Sequence, residues 1–304
     1  MKHILSAKQF LDRSLLEKLF RTAGEMEKRD KEGKLSVECA GKIAATIFYE
    51  PSTRTRFSFE TAMYKLGGNV ISAESASEFS SAKKGETLED TARVVGGYAN
   101  AIIVRHPEAG AAERMASTSP VPVINAGDGS KEHPTQALLD LYTVQKELGR
   151  LDDLVITFVG DLRYSRTVHS TVYLLPLFRN VRVYCVTPPQ LRLPDEYVAY
   201  LKERKIPVEE SADIKAIAGK TDVLSVTRVQ KERFSSEAEY DRVKNSYTID
   251  SRVLSVLKKE AIIMHPLPRV NEIAKEVDDD VRAAYFRQTK NGVYVRMALL
   301  RSVL

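Results

Sequence analysis

Residues 43–56 read Ile43-Ala44-Ala45-Thr46-Ile47-Phe48-Tyr49-Glu50-Pro51-Ser52-Thr53-Arg54-Thr55-Arg56. The apolar run Ile43 to Tyr49 predicts a strand. After it, Phe59, Ala62, Met63 and Leu66 recur at i, i+3, i+4 and i+7, one face of a helix. A strand that feeds a helix N-terminus presents free first-turn N–H groups and the positive end of the helix dipole. Ser52 suits the N-cap. A cap alone accounts for Ser52 but not for Arg54 and Arg56, because the dipole disfavours cations in a first turn. Two cations there point to an anionic ligand of phosphate type.

The same alternation of strand and helix extends in both directions. Ile43–Tyr49, Asn69–Ser72, Ala101–Val104 and Val121–Asn125 form one series of apolar runs. Leu154–Gly160, Val181–Val186, Asp222–Val226 and Ala261–Met264 form a second. Most are continuously apolar, as in parallel strands covered on both faces by crossover helices. The long helical segment Pro134–Leu148 separates the two series, with Pro134 in its first turn and Ala137, Leu138, Leu141, Val144 and Leu148 as its apolar stripe. The expected fold is α/β, with two doubly wound parallel-sheet domains and an active-site cleft between them. Ligands in such sheets sit beyond the carboxyl ends of the strands. Two polar stretches, Glu74–Gly85 and Gln230–Ser246, read as mobile loops. The segment Asp279 to Leu304 reads as two helices around Asn291-Gly292, and the stripe Val295, Ala298, Leu299 and Val303 needs a partner surface.

The 304 residues, 43% hydrophobic and 29% charged, suit two globular domains. No apolar run approaches the roughly 20 residues of a membrane span. The start, Met1-Lys2-His3-Ile4-Leu5, lacks signal-peptide character. The two cysteines, Cys39 and Cys185, have neither zinc-knuckle nor CxxC spacing. Together these predict a cytoplasmic protein without metal or membrane partner. A net charge of +5, from 46 basic and 41 acidic residues, is spread without a basic block. Small anionic substrates account for it equally well, and no nucleic-acid partner is expected.

Polar groups cluster where the strands end. They are Arg105-His106-Pro107, His133-Pro134-Thr135-Gln136, the run Gly160-Asp161-Leu162-Arg163-Tyr164-Ser165-Arg166, Thr227-Arg228-Val229-Gln230, and His265-Pro266-Leu267-Pro268-Arg269. Each has a bland alternative: a helix cap for His133, solvated arginines, a stiff turn for residues 265–269. No GxGxxG or GxxxxGK[ST] accompanies them. The two prolines of the last run would fix backbone carbonyls as acceptors.

Ser52-Thr53-Arg54-Thr55-Arg56 followed by Phe57-Ser58-Phe59-Glu60 resembles the carbamoyl phosphate motif of the aspartate/ornithine carbamoyltransferase family. The other motifs match that family in order and spacing over nearly the whole chain. Its ornithine members carry a cysteine in an HCLP motif, whereas here the corresponding run is His265-Pro266-Leu267-Pro268-Arg269. Arg166 and Arg228 suit a dicarboxylate acceptor, and Lys83-Lys84-Gly85-Glu86-Thr87 is similar to the aspartate branch.

The resemblance implies transfer of a carbamoyl group from carbamoyl phosphate to L-aspartate, without cofactor, in pyrimidine biosynthesis. It assigns carbamoyl phosphate to Ser52, Thr53, Arg54, Thr55, Arg105, His133, Gln136, Pro266, Leu267 and Pro268. It assigns aspartate to Lys84, Arg166, Arg228, Gln230 and Leu267. Arg54, Thr55, Lys84, Arg105 and His133 would act on the reacting groups. The implied domains are 1–134 plus 286–304 for carbamoyl phosphate and 150–285 for aspartate. Residues 135–149 connect them, and the last helix packs back on the first domain. The implied assembly is a homotrimer with sites shared between subunits, which a separate zinc-containing regulatory chain can join. The alternatives are another acceptor such as ornithine, or a non-catalytic anion-binding homologue.

Overall fold

Strand β1 (Ile43–Phe48) is buried along nearly its whole length, as its unbroken apolar character predicts. It pairs in parallel with β2 (Asn69–Glu74) on one side and β3 (Ala101–His106) on the other, and β3 pairs with β4 (Val123–Asp128). The second sheet contains β5 (Val155–Gly160), β6 (Arg182–Val186), β7 (Val208–Ser211), β8 (Val223–Thr227) and β9 (Ile262–Met264), again all parallel. The computed structural model describes residues 2–34, 36–76, 84–129 and 132–304.

The sheet orders are β2-β1-β3-β4 and β7-β6-β5-β8-β9. In the first, chain order reverses between β1 and β3; in the second, between β5 and β8. Those are the switch points beyond whose carboxyl ends a crevice opens. The eight expected strands are present with ends shifted by a few residues. The polar edge strand β7, Val-Glu-Glu-Ser, has no apolar run to announce it.

The helices are α1 (Arg13–Lys31), α2 (Thr53–Lys65), α3 (Leu88–Gly96), α4 (Ala111–Thr118) and α5 (Pro134–Leu148). They continue with α6 (Arg166–Leu174), α7 (Asp195–Glu203), α8 (Ile214–Ala218), α9 (Glu237–Val243), α10 (Ser251–Leu254) and α11 (Tyr285–Val303). Contacts divide the chain into one unit of residues 1–139 and 290–304 and another of residues 140–289.

Three expectations need correction. Helix α5 is buried well beyond its apolar stripe: residues 132–144 are all buried, polar ones included, and only the last turn, with Lys146 exposed and Leu148 partly so, reaches the surface. Asn291-Gly292 does not separate two helices. Helix α11 runs straight through it, because Asn291 is buried and Gly292 sits at a close packing contact. A Cβ there would lie 3.1 Å from Leu139 Cδ2 and 2.6 Å from Arg296 Nη1. The stretch Gln230–Ser246 is not structureless. It holds a 3-10 turn at Lys231–Arg233 and helix α9, joined by a Lys231–Glu237 ion pair and an edge contact of Phe234 with Tyr240. Most of the other polar stretch, residues 77–83, lies outside the described residues.

Candidate active site

In the first unit, the β1/β3 switch point gathers the anion-binding candidates. Phe48 is in register with Arg105, and Tyr49 N–H donates to the Arg105 carbonyl at 2.9 Å. The segment that opens α2 therefore leaves the sheet beside Arg105. Ser52 occupies the N-cap position, but its side chain makes no capping hydrogen bond. That leaves the first turn without the usual internal acceptor for its N–H groups. Thr53 and Arg54 are exposed and Thr55 is buried. Arg105 Nη2 pairs with Glu50 Oε2 at 3.1 Å, so the strand end preceding the helix already offers this guanidinium a carboxylate. An anionic ligand would exchange one negative partner for another.

Arg56 has a different task. It pairs with Glu74 at 2.9 Å and approaches Glu60 at 3.9 Å, while Glu60 accepts from the hydroxyls of Thr46 and Ser72. Arg56 ties α2 to β2, and Glu60 ties it to both β1 and β2. The inference from two first-turn cations thus rests on Arg54 alone.

His133 and Gln136 sit at the start of α5, both buried. The His133 carbonyl accepts from the N–H groups of Gln136 and Ala137 at 3.0 and 3.2 Å, so its backbone performs the capping role. The preceding turn is pinned from both sides. Gly129 N–H donates to the His106 carbonyl, and Asp128 accepts from Asn125 and from Gly110 N–H. Glu132 accepts from Ser6 Oγ at 2.8 Å and from Ala7 N–H at 2.8 Å. Burial raises the Glu132 pKa, opposed by those donors. Lys84 is exposed ahead of α3, and Lys83 lies outside the described residues.

In the second unit, the β5/β8 switch point does the same for the aspartate candidates. The strands approach so closely that only glycine fits at 160. Its φ is +106°, and a Cβ would lie 2.1 Å from the Thr227 carbonyl oxygen. Asp161 follows, fully buried. Its Oδ1 accepts from Tyr164 N–H at 3.0 Å and its Oδ2 from Gln230 N–H at 3.4 Å. One carboxylate thereby organises the loop that leads to Arg166 and the loop that holds Arg228 and Gln230. Burial raises its pKa, while these N–H groups and the Arg228 charge act in the opposite direction. In the sequence, an aspartate directly after a strand glycine is the one local signal of this role. Arg166 opens α6, and Arg228 and Gln230 are half-buried.

The 265–269 run follows β9, next to β8 in the sheet. Its rigidity has a source other than the prolines alone. Leu267 has φ of +54°, a left-handed conformation that costs a branched residue energy and persists only under constraint from its surroundings. The Leu267-Pro268 bond is cis. Arg269 is clamped by Asp278 and lies over the Tyr285 ring. Cys39 and Cys185 are free and buried, and burial raises both thiols, that of Cys185 to about 12. Among the described residues no group of His, Cys, Asp or Glu could hold a metal, and no helix is long and apolar enough to cross a membrane.

Comparison with known proteins bears on both halves. The profile described as "Aspartate/ornithine carbamoyltransferase, carbamoyl-P binding domain" matches residues 2–146, and that described as "Aspartate/ornithine carbamoyltransferase, Asp/Orn binding domain" matches residues 152–303. The aspartate carbamoyltransferase catalytic subunit of Methanothrix thermoacetophila is 52% identical over 303 residues, covering 100% of this chain and 98% of that protein. The chloroplastic aspartate carbamoyltransferase of Arabidopsis thaliana is 51% identical over 305 residues, covering 100% of this chain and 78% of the relative. The aspartate transcarbamoylase of Trypanosoma cruzi, solved in complex with carbamoyl phosphate and aspartate, superposes with a TM-score of 0.94. It is 39% identical and covers 100% of this chain and 97% of its own. With both domain profiles matched in order along the sequence, this chain belongs to the aspartate/ornithine carbamoyltransferase family.

Proposed function

We infer that this chain transfers the carbamoyl group of carbamoyl phosphate to the α-amine of L-aspartate, giving N-carbamoyl-L-aspartate and phosphate. The observation that carries the reading is chemical placement at the two switch points: a helix N-terminus with Arg54, Thr55 and Arg105 in one unit, and Arg166 and Arg228 in the other. Relatives that share half of its residues along its whole length carry the aspartate enzyme's name, which favours aspartate over ornithine as acceptor. Phosphate release measured with aspartate, ornithine and N-acetylornithine in turn tests the assignment. Turnover with ornithine but not aspartate would reject it.

Carbamoyl phosphate is an activated acyl donor, so the protein's work is positioning and charge stabilisation. The amine attacks the carbamoyl carbon, a tetrahedral intermediate forms, and phosphate departs. Ser52, Thr53, Arg54, Thr55 and Arg105 hold the phosphate, with Arg54 at the leaving oxygen. Thr55, Arg105 and His133 donate to the developing oxyanion. Gln136 and the carbonyls of Pro266 and Leu267 orient the carbamoyl amide, with Pro268 completing that loop. Arg166, Arg228 and Gln230 bind aspartate through its carboxylates, and Lys84 serves both substrates. The departing phosphate accepts the amine proton. The proposed carbamoyl phosphate domain is 1–134 with 286–304 and the proposed aspartate domain is 150–285, joined by 135–149; by contacts, residues 135–139 go with the first unit, and 140–149 and 286–289 with the second.

Asp161→Asn should leave the fold intact and raise the aspartate KM about tenfold, the scale of one lost hydrogen bond with its acceptor turned into a donor. Steady-state kinetics with varied aspartate check this; an unchanged KM would remove Asp161 from the positioning of Arg166 and Gln230.

A homotrimer with shared sites completes the proposal. Its support is a set of apolar side chains left exposed on the first unit: Val37, Phe57 and Tyr64 are 74%, 52% and 58% exposed, and Ile71 is exposed on the edge strand β2. Mixing Lys84→Ala with Arg54→Ala chains should restore activity, since some sites in a hybrid would receive both intact groups. No recovery in hybrids confirmed by native mass would count against sharing. Aspartate saturation with and without nucleotides tests for a zinc-containing regulatory chain joined to the trimers. Cysteine usage supports a cytoplasmic location, although the plant relative is named chloroplastic.

A further inference from the structure

A buried polar relay underlies the 266–268 loop. His265 is 1% exposed. Its Nδ1 accepts from Leu267 N–H at 2.7 Å, and its Nε2 lies 2.8 Å from Glu272 Oε1. The other Glu272 oxygen accepts from the N–H groups of Val270 and Asn271 at 3.1 and 3.0 Å. On the backbone side, His265 N–H donates to Gln288 Oε1 at 2.9 Å, and Gln288 Nε2 donates to Asp140 Oδ1 at 2.7 Å.

An imidazole nitrogen accepts a hydrogen bond only when it carries no proton. The Leu267 N–H therefore selects the neutral tautomer with hydrogen on Nε2, which is the one that donates to Glu272. Burial lowers the His265 pKa, and the charges of Arg228 and Arg269 act in the same direction, against Glu272. In a planar trans peptide the carbonyl of residue 266 points opposite to the N–H of residue 267. Gripping that N–H aims the Pro266 carbonyl and helps hold Leu267 at its left-handed φ.

We propose that His265, locked by Glu272, is a positioning residue for carbamoyl transfer: it aims the Pro266 carbonyl and holds Leu267 for the donor's carbamoyl amide. This rests on the assignment of those carbonyls made under the proposed function.

Two variants separate positioning from mere filling of the core. In His265→Asn the amide oxygen can take the place of Nδ1 and accept from Leu267. In His265→Gln the amide reaches the place of Nε2 and leaves Leu267 N–H without its acceptor. The expected result is a carbamoyl phosphate KM raised about tenfold with lower kcat in His265→Gln, the scale of one lost hydrogen bond, and both constants within about threefold of the unaltered enzyme in His265→Asn. Equal losses in the two variants, or none in either, would overturn the proposal. Should His265→Gln fail to fold, nitrogen-15 spectra of histidine-labelled unaltered protein decide: the His265 signal should show an unprotonated Nδ1 at neutral pH, and a protonated one overturns it. Absence of carbamoyl transfer in the unaltered chain would instead reject the functional reading, while the tautomer measurement still tests the hold on Leu267.

Discussion

Arg54→Ala should lower kcat by at least about 100-fold, the scale for removing one donor from a developing anion. Arg54 is exposed in the first turn of α2, where a cation opposes the helix dipole, so the helix by itself gives no reason for a guanidinium at this position. Arg54→Lys should recover only part of the rate, since an ammonium keeps the charge but not the planar fork. Single-turnover rates with both substrates saturating check both statements, and thermal melts verify that each variant is folded. An unchanged kcat in Arg54→Ala would remove this guanidinium from the leaving group.

Arg228→Ala should raise the aspartate KM by at least about 100-fold. A guanidinium can make two charge-assisted hydrogen bonds to a carboxylate, each contributing about 1.5–3 kcal/mol, and each 1.4 kcal/mol is a factor of ten. The carbamoyl phosphate KM should change by less than about threefold if the donor site of the other unit is untouched. Initial rates with each substrate varied in turn give both numbers. Normal aspartate saturation in this variant would argue against carboxylate binding at Arg228. The loss should exceed that of Asp161→Asn, because Asp161 acts through the backbone and Arg228 through its own charge.

Much of this site was legible in the chain because its chemistry is local. The strand–helix junction at residues 43–56, the two prolines after His265 and the arginines at strand ends each declare themselves within a few residues. The roles of Arg56, Asp161 and His265 were not legible in the same way. Arg56 looked like a ligand-binding cation until Glu74, from the neighbouring strand, proved to be its partner. Asp161 meets Gln230 across a separation of 69 residues. His265 lies close in sequence to Leu267, yet it is locked there by Glu272 and by burial that no local pattern announces. Helix α11 was misread for a related reason: Asn-Gly signals a turn locally, but a small residue was needed there for packing.

The sequence by itself determined the class of fold, the succession of the apolar strands along the chain, and the family, because periodicity and motif spacing are carried by neighbouring residues. Only the tertiary structure decided which strands lie side by side. That order puts the switch points at β1/β3 and β5/β8, and so selects which polar strand ends share a crevice. The physical reason is that apolar strands of similar length carry little information about their neighbours. Sheet order and the partners of buried charges are settled by packing and hydrogen bonding between segments far apart in the chain.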